Sequence, residues 1–197
     1  MEEIFPSYEG LRPELLQVTD EGKYSITRKR DSEQILKIVE HAVEAFETKT
    51  VTDATACIGG DSINFALHCK KVIAIELKED NYEVLKKNIR AYNLENIDAL
   101  WGDSTILFNW HTDVLYIDPP WGGPKYKNYT NLILYVSNIR LDNWIEQVVQ
   151  RKNRPSFIFL KLPVNYNFST LLFLPNVSNV KYHPIRKFIL VEMDVSL

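Results

Sequence analysis

Thr50-Val51-Thr52-Asp53-Ala54-Thr55-Ala56-Cys57-Ile58-Gly59-Gly60-Asp61-Ser62 holds a short β-rich run that ends in an acid, followed by a paired-glycine turn. The next segment, Ile63-Asn64-Phe65-Ala66-Leu67, reads as helical. Beyond it, Val72-Ile73-Ala74-Ile75 is a continuous apolar run closed by Glu76. An uninterrupted apolar strand of this kind is buried on both faces, as in parallel sheets covered by helices. Strand, helix and strand in succession make a βαβ unit.

The same rhythm continues outward. A helix through Val84, Leu85, Ile89 and Tyr92 precedes strands at 97–101 and 114–117. A helix carrying Trp144, Ile145, Val148 and Val149 then leads to a strand at 157–160. Upstream, Ile35, Ile38, Val39, Ala42, Val43 and Phe46 form one apolar stripe and predict a helix over 30–47. The tail reads as two strands, Val180–Tyr182 and Phe188–Val191, turning across His183-Pro184. The predicted fold is α/β and Rossmann-like: a mostly parallel seven-stranded sheet with one antiparallel edge strand and helices on both faces. Residues 1–29, rich in turn formers, read as an N-terminal arm, and 30–197 as the main domain.

With 197 residues, 45% hydrophobic and 25% charged, the chain has the composition of one globular domain. A net charge of −3 excludes a protein that coats nucleic acid as a whole, so any such contact must be local. Arg28-Lys29-Arg30, Lys125/Lys127, Arg151-Lys152 with Arg154, and Arg186-Lys187 are local basic runs; taken singly, each reads first as a solvated face. Cys57 and Cys69 form no metal or redox spacing, and His41, His68, His111 and His183 form no ligand set, so no metal is expected. The acidic start at Met1-Glu2-Glu3 lacks a signal-peptide core, and no apolar run reaches membrane-spanning length. An intracellular, monomeric protein is expected, with nuclear or cytoplasmic residence left open.

Four acids fall at four successive strand ends: Asp53, Glu76, Asp103 after Gly102, and Asp118. Ligands of such sheets bind beyond the carboxyl ends of the strands. Glu76 is suited to accept two ribose hydroxyls, and Asp103, with Ser104 beside it, to accept from an adenine amine. The glycine turn lacks the phosphate-binding patterns of dinucleotide and triphosphate sites. These residues therefore describe a site for an adenosine without phosphates.

Asp118-Pro119-Pro120-Trp121-Gly122-Gly123-Pro124 is the most distinctive stretch. Prolines lack N–H groups, so their carbonyls can face a ligand. A carboxylate and a carbonyl together match the two hydrogens of an –NH₂ group. Trp121 can stack on the base that bears the amine. Tyr126 and Tyr129 follow closely, and a substrate role is open for both. Trp101 and Trp144 read as core residues.

These stretches, with Glu21–Thr27, Asn64–Leu67 and Val72–Glu76, resemble the trimethylguanosine synthase family of cap guanine-N2 methyltransferases over roughly residues 18–195. The resemblance implies S-adenosylmethionine as cofactor, 7-methylguanosine-capped RNA as partner, and methyl transfer to the 2-amino group without a metal. The product would be 2,7-dimethylguanosine or 2,2,7-trimethylguanosine. It implies a cofactor site of Thr27, Asp53, Ala54, Thr55, Gly59, Gly60, Asp61, Ser62, Glu76, Asp103, Ser104 and Asp118. Catalysis falls to Asp118, Pro119, Pro120 and Trp121, and substrate binding to Ser25, Trp121, Gly122, Gly123, Pro124 and Lys161. Two departures stand out. Vertebrate members often carry serine where this chain has Asp118. The family's basic residue after the fifth-strand proline is missing, since Val164-Asn165 follow Pro163, leaving Lys161 as the candidate phosphate contact. Two rival readings remain: an amino-methyltransferase acting on another target (ribosomal RNA, DNA or a glutamine side chain), or a cap-binding module that has lost transfer.

Overall fold

The computed structural model describes residues 3–195, so Met1 and Glu2 of the acidic start lie outside the described residues. The chain divides into two compact units, Met1–Asp103 and Ser104–Leu197. The first contributes three strands of parallel sheet and the second four strands of mixed sheet.

In the first unit, α1 (Gly22–Ser25) and α2 (Lys29–Ala42) precede β1 (Thr50–Asp53), α3 (Gly60–Ala66), β2 (Lys71–Glu76), α4 (Glu79–Ala91) and β3 (Ile97–Trp101). The strands lie in the order β3-β2-β1, all parallel, with Asp53 opposite Ala74 and Glu76 opposite Trp101. Val51, Val72, Ala74 and Ile75 are fully buried, as the continuous apolar runs require. The helix expected over 30–47 is shorter. It ends at Ala42, where Val43 turns extended (φ −107°, ψ 103°), and Ala45 in a left-handed conformation (φ 52°) leads into a short 3-10 segment at Phe46–Thr48. Val43 and Phe46 stay buried outside the α-helix, and Leu36 completes the buried stripe with Ile35 and Val39.

The N-terminal arm is fastened to α4 by side chains that hydrophobic periodicity does not reveal. Asn88, fully buried, accepts from the Gln17 N–H (2.8 Å) and donates to the carbonyls of Gln17 (3.0 Å) and Ile58 (2.8 Å). The Asn81 amide oxygen accepts from the Thr19 hydroxyl at 2.7 Å, and Lys78 pairs with Glu21 at 2.7 Å. A polar residue in the apolar stripe of α4 was the only sequence signal of this clamp.

The second unit contains α5 (Ser104–Leu107), β4 (Val114–Ile117), a two-stranded hairpin of β5 (Tyr135–Val136) and β6 (Ile139–Arg140), α6 (Leu141–Val149), β7 (Phe157–Pro163), β8 (Val177–Ile185) and β9 (Phe188–Val195). β4 pairs in parallel with β7, and β9 runs against both β7 and β8. In α6, Leu141, Trp144, Ile145, Val148 and Val149 are buried at helical spacing. The turn expected at His183-Pro184 lies elsewhere. Both residues belong to β8, opposite Leu190 and Ile189, and Arg186-Lys187 make the turn, with Arg186 at φ 48°. Pro184 is tolerated because β8 is the outermost strand of its unit, where a missing N–H costs no ladder bond on the outer side.

Candidate active site

The carboxyl ends of the first unit's parallel strands gather three of the four acids: Asp53 and Glu76 are the last residues of β1 and β2, and Asp103 lies two residues beyond β3, after Gly102. Asp53 is nearly fully buried; its two oxygens accept from the Ser62 hydroxyl (2.5 Å) and the Thr55 N–H (3.1 Å). These bonds fix the loop between β1 and α3. Glu76 accepts from the N–H groups of Cys57 and Lys78, each at 2.8 Å, so each oxygen keeps lone-pair capacity for a further donor. Burial pushes its carboxyl above the ordinary carboxylate value, and those two N–H groups partly oppose the shift.

Thr27 is buried and donates to Asp61 at 2.5 Å, fastening the arm to the first turn of α3. A side chain at Gly60 would meet Ile26 at 2.7 Å and the Thr27 carbonyl at 3.3 Å, so this glycine admits the arm to close packing. Ala54 and Ser62 are buried in the same loop, while Ser25 is exposed on α1. Trp101 is a correction. It is 54% exposed rather than in the core, stacked on Tyr82 (centroids 6.4 Å apart, 21°), with its Nε1–H on the Leu77 carbonyl at 3.2 Å. The last residue of β3, it rests one side of its ring on Tyr82 of α4 and leaves the rest open. Trp144 is fully buried, as expected.

In the second unit, Asp118 follows β4 directly. Its Oδ2 lies 2.6 Å from the Lys161 ammonium, and both side chains are mostly buried (16% and 8% exposed). Lys161, on β7, also stands 5.5 Å over the Trp121 ring and 5.3 Å over Phe188. Trp121 meets Tyr126 edge-on at 5.2 Å (74°), and its buried Nε1–H has no hydrogen-bond partner. Pro119 is buried and Pro120 exposed. Gly122 and Gly123 both take left-handed φ (88° and 67°) with open space around them, so backbone conformation requires glycine there. The 3-10 segment Gly123–Asn128, which includes Pro124, follows.

Sequence reasoning missed Asn165, which donates to the carbonyls of Tyr126 (2.8 Å) and Tyr129 (2.7 Å) and so holds the loop after Trp121. Its signal was slight: an amide two residues beyond β7, where loops meet ligands. Among the described residues, no group of three or more His, Cys, Asp or Glu could hold a metal ion, and no helix is long and apolar enough to cross a membrane.

Solved structures match nearly the whole fold. A 16S rRNA guanine-N2 methyltransferase of Thermus thermophilus, in complex with S-adenosylmethionine and guanosine, superposes with a TM-score of 0.66 at 18% identity, over 84% of this chain and 43% of that one. A S-adenosylmethionine-dependent O-methyltransferase of Thermotoga maritima gives 0.64 at 14% identity, over 88% and 67%. The fold is that of the Rossmann-like methyltransferases, and the cofactor is S-adenosylmethionine. Residues 48–189 match the RNA cap guanine-N2 methyltransferase family, and the chain belongs to that family.

Among relatives, an uncharacterised protein of Acanthamoeba polyphaga mimivirus is 28% identical over 98% of this chain and 82% of its own length. The trimethylguanosine synthase of Schizosaccharomyces pombe is 29% identical over 54% of this chain, and the match spans only 46% of that protein.

Proposed function

We propose that this protein methylates the 2-amino group of a 7-methylguanosine RNA cap. The observation that carries the reading is the Asp118-Pro119-Pro120-Trp121 segment at the end of β4: a mostly buried carboxylate, a buried proline and an indole with an unsatisfied N–H, in a chain of this family.

Glu76 and the loop from Asp53 to Ser62 hold the cofactor, with Glu76 accepting the ribose hydroxyls. Asp103 and Ser104 take the adenine edge. Thr27, Ala54, Thr55, Gly59, Gly60 and Asp61 shape this part of the site, and Ser25, Gly122, Gly123 and Pro124 the acceptor part. When bound, the cofactor supplies an electrophilic methyl group on a sulfonium.

The chain's own task is to present a poor nucleophile. The guanine 2-amino lone pair is delocalised into the ring, so acceptance of its hydrogens by Asp118 and the Pro119 carbonyl orients it and enriches the nitrogen. Most of the acceleration then comes from positioning two bound reactants. Lys161, 2.6 Å from its Oδ2, holds the Asp118 carboxyl in place. Trp121 stacks on the base, and a cationic 7-methylguanine gains roughly 0.5–2 kcal/mol on an indole face.

Mass spectrometry of 7-methylguanosine diphosphate after incubation with enzyme and S-adenosylmethionine tests the reading. A gain of one or two methyl groups is expected. No gain, with methylation of unmethylated guanosine nucleotides, DNA or uncapped RNA instead, would place the activity elsewhere.

A further inference from the structure

The overall charge of −3 conceals a strong division. The first unit carries thirteen Lys/Arg against twenty Asp/Glu, a formal −7; the second carries ten against six, a formal +4. In the second unit, residues 119–141 and 147–191 contain no Asp or Glu at all.

The fold brings part of that acid-free chain to one end of β7. β4 and β7 run in parallel with Ile117 opposite Leu160, so Asp118 and Pro163 lie at the same end. Asn165, two residues beyond β7, clips the Tyr126 and Tyr129 carbonyls and so places Lys125-Tyr126-Lys127-Asn128-Tyr129 there. Pro163 faces Phe188 across the β7–β9 pair, which sets the Arg186-Lys187 turn at this end too. Lys125, Lys127 and Lys187 are exposed, and Tyr129 is 59% exposed. Cations beside an exposed aromatic ring suit a single-stranded nucleic acid: the ammonium groups meet phosphates and the Tyr129 ring offers a stacking surface.

We infer that this rim, Lys125, Lys127 and Lys187 with Tyr129, binds the single-stranded RNA chain itself, as a contact separate from recognition of the methylated base. The inference rests on the second unit's placement of charge and extends the cap reading from a nucleotide to a polymer. Arg186 lies in the same turn, but the three lysines suffice for the argument.

Fluorescence anisotropy of a labelled, uncapped single-stranded RNA tests it independently of methyl transfer. Each phosphate neutralised on a single strand contributes about −0.7 to the slope of log affinity against log salt, so three predict a slope of about −2. Affinity should then fall about 20-fold between roughly 50 and 200 mM salt. Lys125→Ala/Lys127→Ala should lower the steepness by about 1.4 and Lys187→Ala by about 0.7, with thermal midpoints unchanged. Arg28→Ala/Arg30→Ala, an equal loss of charge in the first unit, should leave the slope as it is. An unchanged slope in the rim variants, or an equal loss in the Arg28/Arg30 control, overturns the proposal. So does equal binding of a polyglutamate of the same charge.

Methyl transfer to free 7-methylguanosine diphosphate, measured on the same preparations, separates the two readings. Transfer without rim-dependent RNA binding overturns only the rim. Rim-dependent binding without transfer sinks only the cap.

Discussion

Lys161 and Asp118 form a mostly buried ion pair at 2.6 Å, joining β7 to the residue that follows β4. Breaking a fully buried pair by deleting one partner costs about 3–5 kcal/mol, because a charge is left uncompensated. Asp118 keeps some exposure, so Lys161→Met should cost about 2–3 kcal/mol in urea unfolding. The double variant Lys161→Met/Asp118→Asn should recover most of that loss. Additive losses would show that the two side chains do not act as a pair.

Asp118→Ala should cut turnover at least 100-fold, of the order lost with a positioned catalytic group, while cap affinity changes little. Single-turnover kinetics with saturating cap separates the two effects. Undiminished turnover ends the role assigned to this carboxylate.

Trp121→Ala should weaken binding of 7-methylguanosine nucleotides by up to about 30-fold from the cation–π contribution alone, with further loss from packing. S-adenosylmethionine affinity should stay within about twofold of the parent. Calorimetry with each ligand is the check, and equal losses of both would mean that the ring serves only the fold.

Asn165→Ala removes two hydrogen bonds of about 1 kcal/mol each that hold the loop after Trp121. The acceptor KM should rise about 10- to 30-fold, with kcat and cofactor affinity little changed. A fall in thermal midpoint with unaltered KM would limit Asn165 to a structural part.

Glu76 gives a pH signature. Its carboxyl titrates above the ordinary 4.5, chiefly through burial, and ribose hydroxyls need the carboxylate form. Cofactor affinity should therefore fall on acidification sooner than it would for an exposed carboxylate. The stability sign is opposite: a raised value gives a contribution present at low pH and lost as pH rises through the folded value. Calorimetric titrations with S-adenosylmethionine across the acid range, beside Glu76→Gln, check the first. An affinity in the parent that is flat down to pH 4.5 would remove Glu76 from the ribose site.

The strands of the parallel sheet were legible because burial on both faces demands unbroken apolar runs, and Val51, Val72, Ala74 and Ile75 meet that demand. The acids at strand ends were legible for a related reason: a charge cannot continue such a run, so it marks where the strand leaves the core. Helix and turn limits were less so. Ala45 and Arg186 both take a left-handed backbone conformation, although neither is a residue type that advertises it.

The sequence by itself determined the α/β class, the acids at the strand ends and the distinctive Pro-Pro-Trp segment, since local periodicity and backbone chemistry write these into neighbouring residues. Tertiary structure alone decided that Lys161 faces Asp118 across 43 positions of chain, that Asn165 holds the loop after Trp121, and that Trp101 lies open. Those facts depend on strand pairing and on contacts between residues far apart in the chain, and no short stretch of residues encodes either.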